Sequence, residues 1–314
     1  MKYPLMFLIL TLLASCSTPE VTQENTFQKI VVNPDVPNFG HYYVLKPVSD
    51  NIAGVVVLLP GLSQKSEDVI TDTKLPQLAV ENNLLVIAYS GILRLSADAY
   101  FNSHFNQVLE DAIEKFKLPR DKFVLGGFSN GGRIALRYAE LCNEFPDKFP
   151  ISPKGVFMAD SPIDMFLSWE LLEDIIKGNT SEIGVREAEF VKKVSEGFYG
   201  GTPTESPDTF NVLTPFRMNM ETPGNEKYLS NVAVRAYHDI DVSWRIMNRR
   251  QPPQKDNFIA TAELINTLRE QGNNEAEFMQ SFRTGYRKNG DRHPHSWSII
   301  DDKECVEWIL KLIK

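Results

Sequence analysis

The sequence predicts an α/β fold, with a mainly parallel β-sheet, helices on both of its faces and an inserted cap. First, short runs rich in Val, Leu and Ile alternate along the chain with segments of helical periodicity. Second, runs such as "AGVVVLLPG" (53–61) are continuously apolar, which is typical of strands that are buried on both faces. Third, the interval 161–230 interrupts this alternation and is too long for a simple crossover connection, which predicts the cap.

Six segments are predicted to form the parallel strands. Each is short and apolar, and each ends near Gly, Pro, Ser or Asp. The predicted strands are 53–61, 83–91, 121–127, 153–160, 231–237 and 275–282.

The predicted helices fill the intervals between these strands. In the clearest of them, 97–117, the apolar residues are three or four positions apart. Asp256 is expected to cap the helix 257–271 at its N-terminus. The other predicted helices are 73–83, 133–142, the cap segments 164–177 and 186–198, and the closing helix 303–314.

The net charge and the composition exclude one class of partner. The formal net charge is −8 at pH 7, and the isoelectric point is about 5.3. Nucleic-acid binding needs clustered Lys and Arg, and the sequence contains no basic stripe. No nucleic-acid partner is therefore expected.

The first residues predict export and anchoring by lipid. One lysine precedes an apolar run that is shorter than the roughly 20 residues of a membrane-spanning helix. Leu13-Ala14-Ser15-Cys16 resembles the bacterial lipobox, which implies that residues 1–15 are a signal peptide and that Cys16 becomes lipidated; an ordinary secretory signal is the alternative. Residues 16–38 are polar and punctuated by proline, which predicts a tether to a domain spanning 39–314. We therefore expect a bacterial membrane-anchored lipoprotein on the periplasmic or cell-surface side.

The two remaining cysteines are predicted to be buried free thiols. Cys142 and Cys305 lie on helices that should cover opposite faces of the sheet, although an exported protein could also pair them.

The segment "GGFSNGG" (126–132) is the strongest indication of chemistry. Ser129 lies in a Gly-x-Ser-x-Gly pattern, after a predicted strand and before a predicted helix. The glycines allow a sharp turn that would hold the serine hydroxyl out from the sheet. A tight turn without chemistry is the alternative.

This segment resembles the nucleophile elbow of the α/β-hydrolase superfamily. The resemblance covers roughly residues 50–314 and implies that Ser129 is a nucleophile, followed along the chain by an acid and then by a histidine. His293 and His295 lie in "GDRHPHSWSII", between the last strand and the last helix, where the family has its histidine. We expect His295 to be the base, because Ser296-Trp297 follows it as in many esterases, and His293 stays as the alternative.

The acid and the oxyanion donors are expected at the ends of other strands. Asp241, just after the fifth predicted strand, is the favoured acid, with Asp239 and Asp160 as alternatives. The backbone N–H groups of Leu62 and Asn130 are the expected oxyanion donors.

These residues predict a serine hydrolase that cleaves carboxylic esters through an acyl-enzyme. A small-molecule or glycan ester is the expected substrate, and the resemblance implies neither a cofactor nor a metal. A serine peptidase or an acyltransferase is an alternative with the same triad, and a non-catalytic binding lipoprotein is an alternative of another class.

Overall fold

The computed structural model describes residues 27–89, 94–179, 181–251 and 253–314. Within them, eight strands form one sheet in the order β1-β2-β4-β3-β5-β6-β7-β8. The pairs from β4 through β3 to β8 are parallel, and β1 and β2 join that edge as antiparallel strands. The strands are β1 Gln28–Val31, β2 His41–Leu45, β3 Gly54–Leu59, β4 Leu84–Ala88, β5 Phe123–Phe128, β6 Gly155–Ala159, β7 Ala233–Asp239 and β8 Ala276–Ser281.

The α-helices of the described residues lie in the intervals between the strands and after the last strand. They are α1 Asp68–Asp72, α2 Leu75–Glu81, α3 Ala99–Phe116, α4 Asn130–Glu144, α5 Met165–Gly178, α6 Glu182–Tyr199, α7 Pro207–Leu213, α8 Val242–Arg249, α9 Asn257–Glu270 and α10 Asp302–Leu312.

The sheet separates two hydrophobic layers, as its continuous apolar strands predict. In β3, Val55 and Val57 pack into one layer, and Val56 and Leu58 pack into the other. Successive side chains of a strand point to opposite faces, so such a strand must be apolar throughout. The predicted α/β class and its six parallel strands are confirmed.

The cysteines are also buried where the sequence predicts. Cys142 of α4 lies in one hydrophobic layer and Cys305 of α10 in the other. Both are free thiols. Burial raises the pKa of each thiol, since the apolar surroundings disfavour a thiolate.

Part of the predicted tether belongs to the sheet, so the predicted bounds of the tether are wrong. Residues 28–31, assigned to the tether, form β1, and β2 was not predicted as a strand. An edge strand with one solvated face needs few apolar residues, and in β1 only Ile30 is buried. Apolar continuity is therefore a weak signal for such strands.

One helix begins earlier than predicted, and one predicted N-cap hydrogen bond does not form. The second predicted cap helix begins earlier than expected, at Glu182, because the Ser181 hydroxyl accepts the N–H of Gly184 at 3.3 Å. Asp256 does precede α9, but its side chain makes no capping hydrogen bond. Its carboxylate pairs instead with Arg245.

The inserted segment, residues 161–230, contains α5, α6 and α7 and lies between β6 and β7. No helix of the described residues has the length and apolar character that crossing a bilayer requires. The predicted signal peptide and Cys16 lie outside the described residues.

Candidate active site

Ser129 lies in the turn that connects β5 to α4, with φ 54° and ψ −122°. This backbone conformation is rare for a residue with a side chain, and strain of this kind is typical of functional positions. The N–H of Ser129 donates to the carbonyl of Ala159 at 2.8 Å, which fixes the turn against β6. The Ser129 side chain is half-buried and has no hydrogen-bond partner among the described residues.

Two glycines allow the close packing that this turn requires. A Cβ atom on Gly127 would lie 2.3 Å from the carbonyl carbon of Gly131. A Cβ atom on Gly131 would lie 2.0 Å from the carbonyl oxygen of Leu59, at the end of β3. Both contacts are with backbone, which cannot move aside, so only glycine fits at either position.

His295 is bound to a buried carboxylate that follows β6. Its Nδ1 lies 2.7 Å from Oδ2 of Asp160, and its ring packs against Phe128 with the centroids 4.5 Å apart. The His295 side chain is 28% exposed, whereas that of Asp160 is 1% exposed. A proton on Nδ1 is donated to the carboxylate, which leaves Nε2 free to accept another.

Three cationic or hydrogen-bond-donating side chains converge on Asp160. His238 Nδ1 lies 3.1 Å from Oδ1, and Arg245 Nη2 lies 3.2 Å from Oδ2. Burial alone raises the pKa of the Asp160 carboxyl, but the charges of Arg245 and His295 and the hydrogen bonds from both histidines outweigh it. The pKa of Asp160 is therefore held well below its usual range, and the carboxylate stays ionised.

Asp241, the predicted acid, does not contact His295. Its carboxylate caps α8 by accepting the N–H of Trp244 at 2.9 Å, and it lies 3.2 Å from Arg292 Nη2. The pairing of His295 with Asp241 is therefore corrected to a pairing with Asp160, which the sequence offered only as an alternative. The cause is local, since the first turn of α8 and Arg292 already bind the Asp241 carboxylate.

Asp239, the other alternative, also holds loop structure. Its oxygens accept the N–H groups of Arg283 and Gly285 at 2.8 and 2.7 Å. It thereby fixes the segment that follows β8 and leads toward His295.

His293 supports the loop that carries His295. Its Nδ1 accepts the backbone N–H of His295 at 3.1 Å, and its ring packs against Trp244 with the centroids 4.7 Å apart. Burial, together with nearby positive charges such as that of Arg287, lowers the pKa of His293 to about 3. His293 is therefore neutral at ordinary pH, and it has no contact with Asp160 among the described residues.

The expected oxyanion donors lie beside Ser129. Asn130 is the first residue of α4, and Leu62 follows β3. Within the described part of the chain, neither backbone N–H has a hydrogen-bond partner. The Leu62 loop is braced because the N–H of Gly61 donates to Gln64 Oε1 at 2.7 Å.

One cavity of about 510 Å³ brings these groups together. Leu62, Ser129, Asn130 and His295 all line it, and Asp241 does not. Residues of α5 and α6 also line it, so the inserted segment contributes to the wall of the cavity that contains the serine.

Sequence reasoning missed the surroundings of Asp160. His238 and Arg245 are distant from it in sequence and come together only through β7 and α8. One signal in the sequence points to it: His238 lies next to the last residue of β7, which neighbours the strand before Asp160, and the carboxyl ends of parallel strands meet at one edge.

Comparisons with known proteins identify the fold. No protein-family model matches the sequence, and no curated protein matches it. Among solved structures, the chain is similar to MPT51 (FbpC1) of Mycobacterium tuberculosis, with a TM-score of 0.58, 13% identity and coverage of 92% of this chain and 99% of that one. Carboxyl esterase 2 (TmelEST2) of the fungus Tuber melanosporum has a TM-score of 0.57 and 14% identity over 95% of this chain and 89% of its own.

A third similar structure is an esterase of the bacterial hormone-sensitive lipase family, with a TM-score of 0.53 and 12% identity over 92% of this chain and 83% of that one. Identities this low establish architecture only. The chain has the α/β-hydrolase fold, and the resemblance seen in the sequence is confirmed at that level.

Proposed function

We propose that the protein is a serine hydrolase that cleaves carboxylic esters, with Ser129 as nucleophile, His295 as base and Asp160 as the acid that orients it. One observation carries this proposal: a serine in a strained strand-to-helix turn shares a cavity with a histidine that is bound to a buried, ionised aspartate. Each group has the environment that its role requires.

In the first half of the reaction, Ser129 Oγ attacks the ester carbonyl carbon while its proton passes to His295 Nε2. Asp160 stabilises the imidazolium through Nδ1, and the N–H groups of Leu62 and Asn130 donate to the oxyanion. The tetrahedral intermediate collapses when the bond to the alcohol oxygen breaks, and His295 returns its proton to that oxygen. The alcohol leaves, and the acyl group remains on Ser129.

In the second half, water attacks the acyl carbon and gives one proton to His295. Collapse of this intermediate breaks the bond to Ser129 Oγ, which takes the proton back. The carboxylic acid is released and the starting state is restored, so the cycle consumes only ester and water.

Labelling with a fluorophosphonate probe, together with ester turnover, tests the proposal. Wild-type protein should label and should hydrolyse at least one member of a panel of acetyl, feruloyl and longer acyl esters. Ser129→Ala should do neither. Ser168→Ala is the matched control, because Ser168 lines the same cavity but donates to the carbonyl of Asp164 at 2.7 Å.

Undiminished turnover by Ser129→Ala would exclude this serine as the nucleophile. Labelling without turnover of any ester, but with cleavage of amides or transfer to another acceptor, would assign the site to the peptidase or acyltransferase alternative. A wild-type protein that neither labels nor turns over esters would leave only a binding role for the fold.

We also propose that the protein is exported and anchored in a bacterial membrane through a lipid on Cys16. The support is the lipobox-like sequence that ends at this cysteine. Wild-type protein should incorporate labelled palmitate and sediment with membranes, whereas Cys16→Ser should do neither. Cys142→Ser is the control, since that thiol is buried in the domain. Unlabelled, soluble wild-type protein would contradict the anchor.

A further inference from the structure

Arg133 is a buried cation at the wall of the cavity that contains Ser129. It lies one turn after Ser129 in α4, and its backbone N–H donates to the carbonyl of Ser129 at 3.3 Å. Ser129 and Arg133 both line this cavity. The Arg133 side chain therefore borders the space that an acyl group on Ser129 would enter.

No carboxylate of the described residues balances the charge of Arg133. The side chain is 3% exposed, one terminal nitrogen donates to Met165 Sδ and the other to Asn130 Oδ1, and both of these acceptors are neutral. Its Nε has no hydrogen-bond partner in the described chain. Burial accordingly lowers the pKa of Arg133.

The other buried arginines of the described residues do have counter-charges. Each makes ion pairs with carboxylates of the protein: Arg137 with Glu140 and Glu144, and Arg235 with Glu277 and Glu304. A buried charge without a counter-charge is costly, and a protein that retains one commonly uses it to bind a ligand.

Two further polar groups near Arg133 are also unpaired. The hydroxyls of Ser195 and Tyr199, both on α6, are buried and have no hydrogen-bond partner among the described residues. Ser195 lines the cavity, and Tyr199 lies one helical turn after it in α6, near Arg133. Hydroxyls and a guanidinium together can donate to the oxygens of an anion.

The one acidic residue that lines the cavity, within the part of the chain described, does not fill this role. Glu187 has a side chain that is 64% exposed, and it lies 3.4 Å from Arg249. It is therefore available neither to Arg133 nor to the buried end of the cavity.

We propose that Arg133 binds a carboxylate on the acyl part of the substrate, so that the preferred substrates are half-esters of short dicarboxylic acids. This inference rests on the proposed function and names its substrate class. The leaving alcohol must lie against His295, which protonates it. Arg133 has no contact with His295 and instead donates to the side chain of Asn130, whose backbone N–H is the proposed oxyanion donor. The anion therefore belongs to the acyl side.

The test compares three esters by titration of the acid released at constant pH. Monomethyl glutarate carries a carboxylate on the acyl chain, methyl valerate is neutral, and carboxymethyl butyrate carries the carboxylate on the alcohol. Charge-assisted hydrogen bonds are worth about 1.5–3 kcal/mol each, so wild-type kcat/KM should favour monomethyl glutarate over methyl valerate by at least tenfold. In Arg133→Met the ratio should fall to about one, and Arg133→Lys should recover part of it.

Arg217→Met is the matched control. It removes a cation from the inserted segment that packs on Phe166 and does not line the cavity, so the ratio should stay at its wild-type value. Equal turnover of the charged and neutral acyl esters by wild type, or an unchanged ratio in Arg133→Met, would overturn the proposal. A preference for carboxymethyl butyrate would overturn the placement on the acyl side.

Calorimetry with glutarate separates this inference from the proposed function, because binding needs no turnover. Glutarate should bind wild-type protein and Ser129→Ala, and glutaramide should not bind either. Absence of glutarate binding to wild-type protein refutes the anion site even if Arg133→Met fails to fold. Binding by a protein that neither labels nor hydrolyses esters would support the anion site while refuting the hydrolase.

Discussion

Replacing Asp160 with asparagine removes one negative charge from the centre of the candidate site and leaves its shape almost unchanged. An amide oxygen can still accept from His295 Nδ1, which now lies 2.7 Å from Oδ2. The amide nitrogen would face His238, whose Nε2 lies 2.6 Å from the hydroxyl of Thr261. His238 can move its proton to Nε2 and donate to Thr261, so that Nδ1 accepts from the amide.

The expected loss of activity follows from the charge alone. In the proposed reaction, His295 becomes an imidazolium beside the Asp160 carboxylate when Ser129 attacks. Two unit charges about 4 Å apart attract by about 4 kcal/mol at an effective dielectric constant of about 20. Each 1.36 kcal/mol is a factor of ten in rate, so Asp160→Asn should lower kcat by about 10³-fold. Arg245 keeps Asp256 as an ionic partner, and the fold should survive.

The assay is kcat and kcat/KM on an activated ester, together with the rate of fluorophosphonate labelling and thermal unfolding of each variant. Asp241→Asn is the matched comparison, because its amide oxygen can still accept the N–H of Trp244. It should cost less than about tenfold in kcat and act mainly on stability. If Asp241→Asn lost about 10³-fold while Asp160→Asn kept most of its activity, the assignment from the hydrogen bond of His295 would be refuted.

Three further results are expected. His295→Ala should lower kcat by several orders of magnitude, whereas His293→Ala should lower it far less, since it removes only a loop contact. Equal decreases in kcat of the two variants in steady-state assays would contradict this. Because the pKa of His293 is about 3 in the fold against 6.5 as its reference value, the unfolded chain takes up a proton first as pH falls, and stability should drop from pH 6.5 toward 3. In urea unfolding, His293→Gln should reduce the dependence of the free energy of unfolding on pH. The reduction should be less than about 1.4 kcal/mol per pH unit, because the ring of His293 is partly solvated. Gly131→Ala should lower the free energy of unfolding by about 1–3 kcal/mol, measured in the same way, because its Cβ would meet the Leu59 carbonyl; an unchanged midpoint would contradict the close approach.

The sequence predicts best what depends on local pattern. Apolar runs predict the strands β3 to β7 because these strands are buried on both faces, and the Ser129 turn is predicted because it requires glycine. The edge strand β1 was missed because it buries only Ile30. The position of His295 followed from the order of elements in the family that the motif resembles, not from any property of the histidine itself.

The choice between the two aspartates depends on which cation reaches which carboxylate. Asp160 follows β6 and Asp241 follows β7, and these strands are parallel neighbours, so either side chain starts near the loop of His295. Arg292 lies 3.2 Å from Asp241, and Arg245 lies 3.2 Å from Asp160. Asp241 Oδ1 accepts the N–H of Trp244 and Oδ2 faces Arg292, whereas Oδ2 of Asp160 lies against the ring of His295 as well as Arg245.

That division is set by side chains far apart in sequence, which strand order and motif spacing do not encode. In the proposed site, the choice of acid thus depends on the ion pairs around Asp160 and Asp241. Moving the acid would require more than a new carboxylate after β7. Asp241 would first have to be released from the N-terminus of α8 and from Arg292, and Arg245 would need another partner in place of Asp160. A double variant that carries Asp160→Asn and Arg292→Met should therefore stay as inactive as Asp160→Asn alone, because the Trp244 N–H still holds Asp241 away from His295. Recovery of more than about tenfold in kcat by that double variant would show that Arg292 alone keeps Asp241 from the histidine.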